Sequence, residues 1–284
     1  MAYENFKAKI WSKAIDKELE RAFVFADGTN QQYSGEIKGL GDTVRILGVG
    51  KPTVTEHDLL DGDISLSTPE KVSDTSVSLV IEKAAYFNYA VGDIDKAQGA
   101  GKVLSVLNEE ASQEVANKID KYIADLVNPD SAQYIEAVKY TKTNVTAANV
   151  MATLDAVQAM LYANDVSPAT EVEMILPPWM YMLFRQAYQN KDTDNSMYLS
   201  NGKVAKYGNM TIKMSNNVTF KHDGTRNVYY VQVRTKRAIA FASSEAHTEA
   251  YRPEASFSDA VKGFKLYGAK IVRNKEMVVL PCYA

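Results

Sequence analysis

Apolar residues recur every three to four positions in four segments of the chain, and this spacing predicts four helices. The first covers residues 4–21 and the second, at about 39 Å the longest, covers residues 102–127. Two shorter helices follow, 146–165 with Thr146 as its cap and 178–189 with a proline at its first position. Because the first helix has only one apolar stripe, we expect it to dock on its own body or on a neighbour.

Alternation of apolar and polar residues predicts strands around these helices. The predicted strands are 42–50, 76–91, 172–178, 203–206, 209–214, 228–234, 237–242 and two short strands within 268–281. Residues 251–267 mix aromatic and polar side chains without a clear period. Helices and strands in this order favour an α+β fold.

The polar segment 53–75 separates the first two predicted strands and has little periodicity. A loop of this length is uncommon inside a compact domain and is usually functional or mobile. We therefore interpret 33–91 as two strands that flank an extended excursion. Since isolated two-stranded hairpins are only marginally stable in water, we expect this one to rest on an adjacent subunit.

Composition narrows the classes of protein that fit. The 284 residues carry a net charge of −3 and a single cysteine, Cys282, which excludes a disulfide scaffold and a multi-cysteine zinc site. The near-neutral charge gives no overall nucleic-acid footprint. No apolar run approaches the roughly 18 residues of a membrane span, and the N-terminus lacks the apolar core of a signal peptide. We expect a soluble protein made in a reducing cytosol. The 17 tyrosines fit either strand surfaces or subunit interfaces.

The sequence contains no complete motif for catalysis or cofactor binding. GLGDTV at 39–44 lacks a third glycine and a following helix, and GVGKPT at 48–53 lacks the leading glycine of a phosphate-binding loop. His57, His222 and His247 stand in no ligand-like pattern. We predict no catalytic residue, no cofactor and no metal ligand.

Three smaller features have ordinary structural interpretations. Cys282 is expected to serve as a small apolar residue. Asp93 and Asp95 could bind a cation, but they fit a helix start better. The basic run RTKR at 234–237 is interpreted as a solvated turn between two strands.

Four local patterns, in this order, carry a resemblance to a known family. They are IWSKAIDKELE at 10–20, YFNYAVGDIDKAQ at 86–98, NGKVAKYGNMTIKMSNNV at 201–218, and the closing segment 238–280 with its Y-G-x-K-[IV] step. Together they resemble the major capsid protein of tailed bacteriophages, which has the Hong Kong 97-type fold. The resemblance covers nearly the whole chain.

This resemblance implies a division of the α+β chain into named parts. They are an N-arm at 1–32, an E-loop with flanking strands at 33–91, a P-domain spine helix with adjoining strands at 92–145, an A-domain at 146–235, and an A-domain return with closing P-domain strands at 236–284.

The resemblance further implies a structural protein and not an enzyme. Its partners would be copies of itself, in pentamers and hexamers of an icosahedral shell, together with a portal protein. Double-stranded DNA would be enclosed without sequence-specific binding, no membrane would be involved, and assembly in the host cytoplasm would place the protein in the virion. Met1 directly precedes the N-arm, so a separate scaffolding protein or none is expected. Lys51 and Lys71 flank the loop without a crosslinking motif, so a non-covalent shell is expected.

Predicted subunit contacts lie on three segments. They are Phe6, Ile10, Trp11 and Ile15 on the N-arm, Val44, Ile46, Leu59, Leu60 and Ile64 on the E-loop, and Met197, Tyr198 and Leu199 at the A-domain tip. Three other interpretations remain open: an encapsulin-like compartment around a protein cargo, a tail or head-completion protein that forms a single ring, and a cytosolic α+β enzyme.

Overall fold

The computed structural model describes residues 23–33, 41–49, 54, 56, 69, 74–92, 103–132, 134–189, 205–254 and 258–284. Its helices are α1 (Val103–Ala124), α2 (Val150–Ala163) and α3 (Pro178–Gln189), with 3-10 turns at Asp125–Val127 and Asn274–Glu276. Its strands are β1 (Thr43–Val49), β2 (Asp74–Val80), β3 (Lys83–Gly92), β4 (Val138–Lys139), β5 (Thr143–Asn144), β6 (Val172–Leu176), β7 (Ala205–Tyr207), β8 (Met210–Met214), β9 (Phe220–His222), β10 (Asn227–Thr235), β11 (Ile239–Ser243), β12 (His247–Tyr251), β13 (Ser258–Ile271) and β14 (Met277–Tyr283).

An eight-stranded sheet, the first sheet, forms the larger half of the body. Its strand order is β4-β14-β10-β6-β8-β7, with β5 beside β14 and β9 beside β10. Side chains on one face of β10 point to α1, where Gln232 donates hydrogen bonds to the carbonyls of Ile123 and Ala124. On the opposite face, α3 packs against β14, where the Cys282 and Met180 sulfurs lie 3.8 Å apart. The sheet is therefore covered on both faces, and the main apolar core surrounds it.

The second sheet has the long strand β13 at its centre. β11 and β12 pair with successive halves of one edge of β13, and β3 pairs with the other edge from Tyr267 to Ser258. The first half of α1 lies against β3, and the Tyr89 hydroxyl donates to Asn108 on the helix. Helix α1 thus contacts both sheets, and its last turn also bonds to β10 of the first sheet.

β1 and β2 form a separate antiparallel two-stranded sheet, the hairpin, in which Val49 lies opposite Asp74. Residues 50–73 connect the two strands at this end. The strands predicted at 42–50 and 76–91 are confirmed, although the second is divided at Ile81 and Glu82 into β2 and β3. The excursion between them stays a prediction.

Two local predictions differ from the structure. Helix α2 begins at Val150 because residues 146–149 form a turn first, in which the Asn149 side chain accepts the Thr146 N–H at 2.7 Å; Thr146 is not the cap. β13 extends to Ser258, well before the predicted strand at 268. Its alternation is weak because α1 and the neighbouring strands cover polar positions such as Lys265, which is 8% exposed. The helix predicted at 4–21 lies outside the described residues.

Candidate functional site

The first residues that the structure describes, 23–33, are fixed to α1 by hydrogen bonds. The buried carboxylate of Asp120 accepts the backbone N–H groups of Val24 at 2.8 Å and of Phe25 and Ala26 at 3.1 Å each. Burial raises the pKa of Asp120, while these three hydrogen bonds and the Arg234 cation oppose that rise. Three donors on one carboxylate hold residues 24–26 in a single position on the helix.

Arg234 completes this N-terminal anchor, which we define as Val24–Ala26, Asp120 and Arg234. Its side chain is fully buried, donates to the Phe25 carbonyl and to Gln232 at 3.2 Å, and lies over the Phe25 ring at 5.9 Å. Burial lowers the pKa of Arg234 to about 10, so it remains a cation at neutral pH. Nearby carboxylates stabilise the charged form of such a buried guanidinium group.

The anchor corrects the interpretation of RTKR at 234–237 as a solvated turn. β10 continues through Thr235, so Arg234 and Thr235 are both buried. Only Lys236 and Arg237 form the exposed turn before β11. The signal that could have shown this is the alternation in β10, which places Gln232 and Arg234 on the same face.

An ion-paired group extends the anchor towards the first sheet. Lys213 lies 2.8 Å from Asp27 and 2.7 Å from Glu173. Burial alone would lower the pKa of Lys213, but these two carboxylates raise it. A Cβ atom on Gly28 would lie 1.5 Å from the Glu173 carboxylate, so any other residue at this position would have to displace the Glu173 side chain.

The hairpin is attached to the second sheet by its base, which we define as Gly41, Asp42, Val80 and Ile81. Gly41 donates to the Ile81 carbonyl and Ile81 to the Asp42 carbonyl, both at 3.0 Å. The base lies directly on Gly268, where an added Cβ atom would be 2.6 Å from the Val80 oxygen. This close approach explains the glycine of the Y-G-x-K-[IV] step. The lysine of that step, Lys270, donates to the Ser78 carbonyl at 3.0 Å.

Two of the predicted contact residues belong to the hairpin's own packing. Val44 and Ile46 are each 7% exposed, and they pack in a small cluster with five other buried residues: Leu79, Ile81, Ala240, Ala242 and Leu266. This corrects their assignment to a neighbour, because the same chain already covers them. The hairpin therefore packs on its own subunit, and its expected contact with an adjacent subunit stays a prediction.

The other predicted contacts lie outside the described residues. They are Phe6, Ile10, Trp11, Ile15, Leu59, Leu60, Ile64, Met197, Tyr198 and Leu199.

A groove runs between β3 and α1, with a volume of about 410 Å³. Its lining is mostly apolar, and it consists of Ala84, Ala85, Tyr86, Phe87, Ala111, Glu114, Val115, Lys118 and Tyr267. Tyr86 is 81% exposed at its rim. Among the described strands β3 pairs only with β13, so its other edge is open.

A second apolar surface lies at one end of the first sheet. The Tyr229 ring lies 5.7 Å from the Trp179 ring and 5.3 Å from the Phe220 ring. Phe220 is 51% exposed, and Met182 on the next turn of α3 is 54% exposed. Exposed apolar clusters of this kind indicate interaction surfaces.

The side chains considered for chemistry do not converge on a site in the described part of the chain. Cys282 is buried, and burial raises the pKa of its thiol to about 12, so it behaves as the small apolar residue predicted. His222 and His247 are exposed, while His57, Asp93 and Asp95 lie outside the described residues. No group of three or more potential metal ligands occurs among the residues described. None of the described helices is long and apolar enough to cross a membrane.

Sequence reasoning missed Asp120, Arg234 and Gly28, which hold the N-terminal segment in place. A weak signal was present at Asp120, an acid on the same side of the helix as Ala116 and Ile123. No sequence pattern showed that Gly28 lies against Glu173, because the two residues are distant along the chain.

Comparisons with known proteins agree on the class of protein. Residues 78–279 match the family described as phage capsid protein. Similar solved structures include Mycobacterium phage Che8, with 24% identity, 91% of this chain and 90% of that chain covered, and a TM-score of 0.72. The mature capsid of bacteriophage PhiM1 has 13% identity, with 92% of this chain and 87% of that chain covered, and a TM-score of 0.61. A virus-like particle from Pyrococcus furiosus has 12% identity, coverage of 99% and 100%, and a TM-score of 0.60.

No curated protein sequence matches the chain. The solved structures establish the fold, an α+β arrangement of the Hong Kong 97 type, and the family match covers well over half of the chain. The resemblance read from the sequence is therefore confirmed. The chain belongs to the phage capsid protein family and is a structural, virion-forming subunit.

Proposed function

We propose that this chain is the major capsid subunit of a tailed phage or prophage, and that its pentamers and hexamers form an icosahedral shell around double-stranded DNA. Assembly takes place in the host cytoplasm with a separate scaffolding protein, and a portal protein occupies one vertex. The shell is held without covalent crosslinks and makes no sequence-specific contact with the DNA.

The observation that carries this proposal is the hairpin. β1 and β2 form a two-stranded sheet that joins neither body sheet, and the described contacts to the body come from its base, its small apolar cluster and the hydrogen bond from Lys270 to Ser78. Two-stranded sheets are marginal without further packing. A segment that begins in this way and continues through residues 50–73 is suited to contact an adjacent subunit.

The predicted contacts outside the described residues belong to the same proposal. Their apolar side chains would meet a neighbour from the N-arm, the E-loop and the A-domain tip. In a ring of identical subunits such contacts are head to tail, so each subunit offers a segment to one neighbour and a receiving surface to the other.

Negative-stain microscopy with light scattering tests the proposal directly. The purified chain is examined alone and together with the product of a neighbouring scaffold gene. Shells, or rings of five and six subunits, are the expected result. A strict monomer under every condition contradicts the proposal, and a single ring size without shells favours a tail or head-completion role.

A protein-filled compartment is a second candidate. The fold is also that of a virus-like particle from Pyrococcus furiosus, over 99% of this chain and 100% of that chain, so the fold by itself does not decide what the particle encloses. Purified particles are treated with nuclease and their contents extracted. Protected double-stranded DNA supports the phage capsid, whereas a stoichiometric protein cargo without DNA supports the compartment.

A further inference from the structure

A strap, which we define as residues 24–28, covers the buried charges of the N-terminal anchor. Its first three N–H groups bond to Asp120, its Phe25 carbonyl accepts from Arg234, and Asp27 pairs with Lys213. Phe25 is the one large side chain that the strap buries completely. The strap is therefore held mainly by polar contacts with charged groups of the body.

The chain that follows the strap is fixed by other bonds. Asn30 donates to the Ile239 carbonyl and accepts the Phe241 N–H, both at 2.9 Å. These two bonds attach the segment to β11 and involve no residue of the anchor. The strap can therefore leave the body while the chain from Asn30 onwards stays in place, with Gly28 at the point of bending.

Arg234 and Glu173 are direct neighbours on adjacent strands, yet each is bonded elsewhere. They lie opposite each other in the register of β10 and β6, which puts their Cβ atoms about 4.5–5.5 Å apart on one face. Arg234 donates to Gln232 and Phe25, whereas Glu173 accepts from Lys213 at 2.7 Å. The Nε atom of Arg234 and the Oε2 atom of Glu173 are buried and bond to none of the residues that the structure describes. Each side chain thus keeps unused hydrogen-bonding capacity within reach of the other.

The strap occupies the space beside both of these side chains. The Phe25 ring lies 5.9 Å from the Arg234 guanidinium group. The Gly28 backbone is so close to Glu173 that an added Cβ atom would be 1.5 Å from Oε2. When the strap leaves, Arg234 loses the Phe25 carbonyl and Glu173 gains room to turn towards it.

The charged groups of the body remain balanced without the strap. Asp120 and Glu173 are the acids, Arg234 and Lys213 are the cations, and Asp27 is the only charge that leaves. Removing one partner of a buried ion pair is costly because it leaves a charge uncompensated. A direct pair between Arg234 and Glu173 avoids that cost, and Asp120 becomes accessible to water once the strap no longer covers it.

We infer that residues 24–28 form a releasable strap, and that Arg234 exchanges the Phe25 carbonyl for the Glu173 carboxylate when the strap leaves the body. The subunit then has two positions for the start of its chain, with one folded body. The use of this exchange in a shell rests on the proposed function, because one chain that forms both pentamers and hexamers meets different surroundings.

Native-state hydrogen exchange of the unassembled, full-length subunit tests whether the strap opens alone. The protection of the Val24, Phe25 and Ala26 amides is compared with that of the amides of β10. The expected protection of the strap is lower by about tenfold or more, while the Phe241 amide, bound to Asn30, stays protected. Equal protection of the strap and β10 overturns the inference, because the strap would then leave only when the whole body unfolds.

Glu173→Gln decides whether Glu173 serves the released state or only the bound strap. If Glu173 only supports the bound strap through Lys213, the substitution lowers the protection of residues 24–26. If Glu173 is the second partner of Arg234, the protection rises by roughly tenfold, because the released state loses a charged hydrogen bond that the bound state does not contain. Lower or unchanged protection in Glu173→Gln therefore overturns the inference.

Two further variants are measured in parallel. Glu171→Gln neutralises the carboxylate just before β6, which accepts from Thr211 at 3.1 Å, and it should leave the protection of the strap unchanged. Asp27→Asn removes the strap's own ion pair with Lys213 and should lower the protection of the strap but not that of β10. All of these measurements precede assembly, so the inference can fail while shells still form, and a failure to form shells contradicts only the proposed function.

Discussion

The first sheet and the hairpin both bury the apolar side chains of their strands, but in cores of very different size. The first sheet is surrounded by the main core and is covered by helices on both faces, whereas the hairpin is held by one cluster of seven buried residues and a few backbone contacts. The first sheet can be stable within one subunit. The hairpin depends on its base, and changes there should separate assembly from folding.

The largest effect is expected from Arg234→Met, in the N-terminal anchor. The change removes a buried cation and leaves Asp120 and Glu173 without it, which costs roughly 3–5 kcal/mol of unfolding free energy. Chemical denaturation followed by circular dichroism measures this loss. The control Arg237→Met, in the exposed turn, should change stability by no more than about 0.5 kcal/mol. Equal effects of the two variants would show that the anchor does not stabilise the body.

The hairpin should respond locally to Gly268→Ala. The new Cβ atom meets the Val80 carbonyl at 2.6 Å, so the hairpin base must move, at a cost of about 1–3 kcal/mol. Proteolysis within residues 50–73 should accelerate and shell formation should fail, while the thermal transition of the body stays in place. Ala250→Val adds volume at an exposed position of β12 and serves as the control. A large fall in the body's transition would contradict the separation of the two regions.

The same contrast shows what sequence patterns can predict. The strands of the hairpin and helices α1 and α3 follow from local periodicity, because each buries one regular set of side chains. β13 was largely missed, since its neighbours on both sides and α1 cover polar and apolar positions alike.

Contacts between distant residues are the part that periodicity does not encode. Asp120 meets residues 24–26 across more than ninety positions of sequence, and Gly268 meets Val80 across a still longer interval. Val44 and Ile46 were correctly identified as an apolar face of a strand, but the sequence gives no means to decide whether that face meets the same chain or a neighbour.

A smaller, pH-dependent effect is expected at Glu276, where the two sheets join. Burial would raise the pKa of this carboxyl, but hydrogen bonds from Thr235 at 2.6 Å and Arg273 at 2.8 Å, with Arg237 nearby, lower it overall. Because the folded pKa lies below the unfolded value of 4.5, Glu276 stabilises the fold above that pH, and the contribution is lost as pH falls through the folded pKa.

Glu276→Gln should therefore lower stability by about 0.5–1 kcal/mol at neutral pH and by less in acid. Thermal melts of both proteins across the acidic range measure the difference. A difference that grows as pH falls would contradict the assignment. Glu249→Gln, at an exposed ion pair of the second sheet, is the control.

The smallest effect on folding is expected at the groove, which belongs to neither side of the comparison. The Tyr86 side chain is 81% exposed, so Tyr86→Ser should change the stability of the isolated subunit by no more than about 0.5 kcal/mol. Its effect should appear in assembly, because the ring covers apolar surface only when a neighbour occupies the groove. Light scattering should show a higher protein concentration for half-maximal assembly, with an unchanged melting curve.

Phe220→Ser removes a 51% exposed ring from the other apolar surface, and comparing the two variants shows which surface contributes more to the shell. Unchanged assembly by Tyr86→Ser would leave the hairpin as the principal contact. A loss of assembly without a loss of stability would show that a neighbouring subunit binds the surface formed by β3 and α1. This surface is separate from the small hydrophobic cluster of the hairpin.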